Sequence, residues 1–283
     1  MDDNLPRPTV SAQWLLPRLE NPNIKLLDCS WHLPSSDRDP YSEFQEEHIL
    51  GASFFDIDRI SDQNSSLPHM LPNSQYFSEC VTKLGISNQD KIIVYDNMGI
   101  FSCPRVWWTF RVFGHNNISV LDGGLPAWKK AGGRTSPANI IRSRGDFKAT
   151  TNLELVASLK EVRATMNSAH SQIIDARGKG RYIGKDPEPR PGLRSGHIPG
   201  SYNIPYTSLL EPDSSTLLNK LELKKIFLQH RINIDNNIIA TCGSGISASL
   251  IALALYVCGN KTTAVYDGSW TEWGGRKDTE VQI

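Results

Sequence analysis

Cys242 lies between a short apolar run and a glycine-containing loop, in "NIIATCGSGISASLIALALYVCGN", residues 237–260. The thiolate is the nucleophilic form of cysteine. At the end of a strand and just before a helix, backbone N–H groups converge into a cradle that holds an anion or a thiolate. Gly243 and Gly245 allow the positive φ angles that such a nest needs. A helix dipole contributes about 0.3–1 kcal/mol. Each amide hydrogen bond to a charged acceptor contributes roughly 1.5–3 kcal/mol, so the loop more than the helix would stabilise a charged sulfur. Cysteine is also among the most often buried residues, and the loop alone fits a packed thiol at a strand-to-helix turn equally well.

The other four cysteines, Cys29, Cys80, Cys103 and Cys258, are scattered and form no C-x-x-C pair with Cys242 or with each other. An odd total with that spacing argues against a disulfide framework and a zinc site, and for reduced thiols. No cofactor and no metal are expected. Lys plus Arg and Asp plus Glu are both 30, so the formal net charge is zero; no global field recruits nucleic acid or an anionic membrane surface. The apolar stretch around Ile246 to Cys258 falls short of the about 20 residues that span a bilayer. The N-terminus "MDDNLPRPTV" lacks the features of a signal or transit peptide. Cytoplasm is the expected compartment, with mitochondria left open.

The elements around Cys242 occur twice. "KLLDCS" with Asp28 answers "QIIDAR" with Asp175, 147 residues on; "HILGASFFDI" answers "HIPGSYNIPY", His48 to His197, at 149. "IIVYDNMGI" with Asp96 answers "IIATCGSGI" with Cys242, at 146. "VFGHNNISVLDGGLPAW" answers "VCGNKTTAVYDGSWTEW", with Asp122 to Asp267 and Trp128 to Trp273 both at 145. Within the second half, "NLELVASLKEVRATM" has helical period, "QIIDA" is strand-like, "NKLELKKIFLQHRI" helical, "NIIATC" strand-like, "SASLIALALYVCG" helical with Gly259 at a C-cap, and "TAVYD" strand-like. The alternation predicts an α/β fold: two tandem domains, each a mostly parallel sheet flanked by helices. The expected boundaries are 1–136, a linker at 137–151, and 152–283. Asp96 occupies the place of Cys242 in the first half and cannot be a sulfur nucleophile, so one reactive site is expected, in the second half.

Two copies with the cysteine only in the second resemble the two-domain rhodanese family of sulfurtransferases. "HILGASFFDID", "PRVWW", "LDGGLPAW", "EPRPGLRSGHIPG" and "YDGSWTEW" carry that likeness over nearly the whole chain, and "CGSGIS" resembles the active loop of members that use 3-mercaptopyruvate. The resemblance implies that Cys242 takes the sulfur of a small-molecule donor as a persulfide. It then passes that sulfur to an acceptor such as thioredoxin, a small thiol or cyanide. It implies that the loop residues Gly243, Gly245, Ile246 and Ser247 contact substrate, and that Arg181 and Arg190 bind its carboxylate, which arginine suits by its bidentate geometry. It further implies that Asp58 orients His69, that His69 polarises Ser244, and that Ser244 protonates or hydrogen-bonds the departing enolate, which would make the first half a contributor to the site. Thiosulfate-preferring relatives carry basic residues just after the cysteine. Gly243 and Ser244 are neutral, which disfavours that small dianion.

Three other readings compete. A phosphatase on this kind of loop needs C-x5-R, and position 248 is alanine. A noncatalytic docking module would have no need of the cysteine together with the arginine pair, whereas a sulfur carrier that delivers to a protein partner would use that cysteine and stays an alternative. Within the enzyme class, thiosulfate:cyanide sulfurtransferase is the alternative. His48 and His197, being duplicated, are expected to stabilise the fold, and Trp107, Trp108, Trp128, Trp270 and Trp273 to fill cores or rims.

Overall fold

The computed structural model describes residues 7–137, 142–166, 168 and 170–283. The chain divides into two compact units, each built on a five-stranded sheet in which every neighbouring pair is parallel. In the first unit the strand order is Thr9–Val10, Ile118–Leu121, Lys91–Tyr95, Ile24–Asp28, Ala52–Phe54. In the second it is Val156–Ala157, Ala264–Tyr266, Asn237–Thr241, Ser171–Asp175, Tyr202–Asn203, the same topology read from the repeat. In both, the strand leading to the loop of interest is central and pairs with the strand ending in the repeated aspartate, Asp28 opposite Tyr95 and Asp175 opposite Thr241.

Central strands buried on both faces need a covering layer, and the helix following each loop supplies one. Cys103–Val112 is buried at all ten positions, and Ala248–Cys258 at nine of eleven. The second helix ends at Gly259, whose φ of 119° lets its N–H return to the carbonyls of Leu255 and Tyr256, as the sequence predicts. Helix Lys220–Gln229 begins with a capping box, Asn219 with Glu222, and Leu159–Thr165 with another, Ser158 with Glu161.

The helical period expected from residue 152 starts later. Leu153–Leu155 is a 3₁₀ turn and Val156–Ala157 is the edge strand of the second sheet. Two residues are too few to print a strand period, and only pairing with Val265 and Tyr266 defines them.

The repeated residues repeat their contacts. His48 stacks on Phe44 with ring centroids 3.9 Å apart and bonds the Phe44 carbonyl; His197 stacks on Tyr182 at 3.7 Å and bonds the Tyr182 carbonyl. Trp128 and Trp273 are buried, and each indole N–H donates to a backbone carbonyl, of Arg134 and Glu280. These are packing roles, in keeping with their duplication.

Two segments depart from a simple cut of the chain. Asn64–Met70 belongs to the second unit, and Asp213–Thr216 to the first. Of the expected linker 137–151, residues 138–141 lie outside the described residues, and 142–151 pack as part of the first unit. There Phe147 is buried edge-on against Phe77 and Phe110, and Thr150 N–H donates to the Phe113 carbonyl. No helix among the described residues is long and apolar enough to cross a membrane.

Candidate active site

Cys242 follows the central strand Asn237–Thr241 and is 2% exposed. Its backbone is held from the loop after the neighbouring strand. Cys242 N–H donates to Ser269 Oγ at 3.3 Å, and its carbonyl accepts from Trp270 N–H at 3.0 Å. The Gly243 carbonyl accepts both N–H and Oγ1–H of Thr271, at 2.9 and 2.6 Å. Gly245 has φ of 79°, the left-handed turn that its glycine permits. Ser249 Oγ donates back to the Gly245 carbonyl at 3.0 Å and tightens the entry to the helix. Among the described residues, the N–H groups of Gly243, Ser244, Gly245, Ile246 and Ser247 reach no protein acceptor.

His69, in the segment counted with the second unit, meets Ser244. Its Nδ1 lies 3.0 Å from Ser244 Oγ and 3.3 Å from the Ser244 carbonyl, and both residues are 5% exposed. A carbonyl only accepts, so the geometry favours the tautomer with hydrogen on Nδ1, shared between the two oxygens and leaving the Ser244 hydroxyl hydrogen free to point elsewhere. His69 has φ of 63°, a costly backbone for a residue other than glycine, and such strain concentrates at functional positions. Asp58 lies in the first unit, where its Oδ2 accepts from Trp31 Nε1 at 3.1 Å.

Arg181 approaches the loop so closely that a Cβ on Gly243 would stand 3.2 Å from its Nη2. Its guanidinium is gripped by both oxygens of Glu188, through Nη2 and, at 3.2 Å, Nε. Glu188 is itself buried and also accepts from Arg177 Nη1 at 2.8 Å. Arg177 in turn binds Asp175 through Nη2 at 2.6 Å and lies over Trp270 at 4.2 Å. Burial works against the Arg177 cation, but Asp175 and Glu188 more than offset it and push its pKa up. Two arginines and two carboxylates therefore form one neutral cluster beside the loop. Arg190 is half-buried, two residues beyond Glu188.

Two participants escape a sequence reading. Glu188 stands in a proline-rich polar loop that shows no periodicity. Ser269 does carry a signal in the repeat, a serine where the first half has Gly124. Cys29 and Cys103 are fully buried, and burial together with nearby acidic groups, Asp96 in both cases, pushes both thiols well up. Burial also raises Cys258. Among the described residues, no group of three or more His, Cys, Asp or Glu is placed to hold a metal ion.

The family model described as Rhodanese-like domain matches twice, at residues 11–131 and 158–276. The chain is 39% identical to 3-mercaptopyruvate sulfurtransferase of Homo sapiens over 98% of this chain and 95% of that one. It is 42% identical to thiosulfate sulfurtransferase of Mus musculus, with the same shares covered. Among solved structures, the 3-mercaptopyruvate sulfotransferase SseA of Escherichia coli superposes with a TM-score of 0.85 at 36% identity, over 93% of this chain and 98% of that one.

Proposed function

The chain is a member of the rhodanese family, and on that premise we propose that it is a 3-mercaptopyruvate sulfurtransferase working through Cys242. Overall identity is similar to relatives named for either donor, so the choice rests on the loop. The observation that carries it is the Ser244–His69 hydrogen bond next to a neutral Gly243. Thiosulfate needs no proton when its sulfite leaves. Mercaptopyruvate instead releases the enolate of pyruvate, which does, and a serine polarised by histidine supplies that proton.

In the first half-reaction the Cys242 thiolate attacks the donor's sulfur. An S–S bond forms, the C–S bond breaks, and its electron pair goes to carbon. His69 holds Ser244 Oγ through Nδ1–H, the Ser244 hydroxyl hydrogen goes to the enolate carbon to give pyruvate, and the Ser244 oxygen, held meanwhile by that N–H, takes its replacement proton from water. The amides of Gly243 to Ser247, which reach no protein acceptor among the described residues, supply the donors for the anionic sulfur in this reading, as oxyanion-hole donors do for oxygen. Arg181 and Arg190 hold the donor's carboxylate. In the second half-reaction an acceptor thiolate, from thioredoxin or a small thiol, or cyanide, attacks the outer sulfur, and Cys242 leaves as thiolate.

Mass spectrometry of the protein after mercaptopyruvate without acceptor should show the mass of one sulfur added on the peptide carrying Cys242. Cys242→Ser should abolish turnover. A kcat/KM clearly higher for thiosulfate than for mercaptopyruvate would overturn the donor assignment, and an active Cys242→Ser would overturn the mechanism.

A further inference from the structure

Ser269 adopts φ of 48°, a left-handed conformation that serine rarely takes. The residue 145 positions earlier, at the same place in the repeat, is Gly124, with φ of 54°. The equivalence is structural as well. Leu125 N–H donates to the Asp96 carbonyl at 3.0 Å, as Trp270 N–H donates to the Cys242 carbonyl at 3.0 Å. The backbone conformation is thus a property of the fold at this turn, and glycine is the residue that meets it without strain.

In the first unit a side chain here is not even admissible. A Cβ on Gly124 would stand 2.3 Å from the Asp96 carbonyl oxygen and 2.5 Å from that of Gly99. The second unit accommodates one, with Ser269 wholly buried. Its hydroxyl works in both directions: Oγ donates to the Tyr266 carbonyl at 2.7 Å and accepts Cys242 N–H at 3.3 Å. A residue ill-suited to its backbone is retained where its side chain touches the cysteine, and is replaced by glycine where the cysteine is replaced by aspartate.

We propose that Ser269 is a positioning residue for the sulfur transfer at Cys242, held in a strained conformation so that its hydroxyl can fix the Cys242 backbone. This rests on Cys242 being the nucleophile. With N–H on Ser269, C=O on Trp270 and the next C=O on Thr271, the Cα–Cβ direction of Cys242 is pinned from one loop. The amide of Cys242 is thereby engaged by Ser269, while the amides that follow, of Gly243 to Ser247, reach no protein acceptor among the described residues. Small misplacement of a nucleophile costs rate more than affinity.

The test compares Ser269→Gly and Ser269→Ala in the full chain. Both lose the hydroxyl. Glycine relieves the backbone strain, whereas alanine keeps it. For both, kcat with mercaptopyruvate should fall by about tenfold or more, with KM within about twofold. The melting temperature should hold or rise for Ser269→Gly and fall for Ser269→Ala. Wild-type kcat in Ser269→Gly overturns the inference, and so does a loss of kcat that follows the melting temperature across the two variants. Cys242→Ser assayed alongside separates the two failures: activity there removes the nucleophile assignment itself.

Discussion

Asp96 Oδ2 accepts the backbone N–H of Ser102 at 2.9 Å, and the same oxygen takes those of Phe101 and Cys103 at 2.8 and 3.0 Å while Oδ1 takes Met98 N–H at 3.0 Å. The loop of the first unit is therefore an anion nest filled by its own aspartate. The corresponding amides of the second unit, those of Ser244 and Ser247 among them, follow a cysteine whose side chain is neutral as a thiol and anionic as a thiolate or persulfide. One backbone design serves as a structural clamp in the first unit and, in the proposed mechanism, as a receiver of reacting charge in the second.

Asp96→Asn keeps the shape of that clamp but exchanges a two-oxygen acceptor for one oxygen and an amide group, which cannot satisfy four donors. The first unit should lose about 2 kcal/mol of stability, read as a lower urea midpoint. An unchanged midpoint would mean that the four hydrogen bonds contribute nothing net.

Arg181 and Glu188 have a coupled effect. Arg181→Ala removes the cation proposed to hold the mercaptopyruvate carboxylate and also leaves the buried Glu188 charge without one of its partners. KM for mercaptopyruvate should rise by about 10–100-fold, each tenfold being about 1.4 kcal/mol, with kcat little changed. Adding Glu188→Gln to Arg181→Ala should recover part of that loss by removing the repulsion. A double variant worse than the single one would show that Glu188 acts only through packing. Arg190→Ala should also act mainly on KM.

Ser244→Ala and His69→Ala should each lower the single-turnover rate of pyruvate release from mercaptopyruvate by roughly 10²-fold. Alkylation of Cys242 by iodoacetamide, which releases no enolate, should change far less. Equal losses in both reactions would place Ser244 in the activation of the thiol instead.

Asp28 makes the first unit sensitive to pH. Burial, opposed by hydrogen bonding to Ser30 and Tyr95, pushes its pKa from 3.8 up to about 6. The folded state thus binds the proton more tightly than the unfolded chain, so this contribution to stability is fully present at low pH and is lost as pH rises through about 6. A rise of that size corresponds to about 3 kcal/mol of stability forgone at higher pH. In Asp28→Asn the urea midpoint should exceed that of the parent chain at a pH of about 8, and the difference should shrink at a pH of about 5. A difference independent of pH would refute the linkage. The repeated Asp175 has an arginine, Arg177, where Asp28 has Ser30.

The sequence by itself determined the duplicated α/β plan, the strand–loop–helix around Cys242, the Asp96 counterpart that limits a sulfur nucleophile to one half, and the family. All of these reside in short contiguous runs, where apolar period and glycine placement act locally and a repeat can be compared with itself. Tertiary structure alone decided that Val156–Ala157 is a strand, because a two-residue edge exists only by pairing. It brought Asn64–Met70 into the second unit, so that His69 reaches Ser244 across 175 positions, and it tied Arg181 to Glu188. The serine at 269 was visible in the sequence, but its meaning was not. Only the fold shows a left-handed turn that suits glycine, and a hydroxyl held there against its backbone preference by the N–H of Cys242.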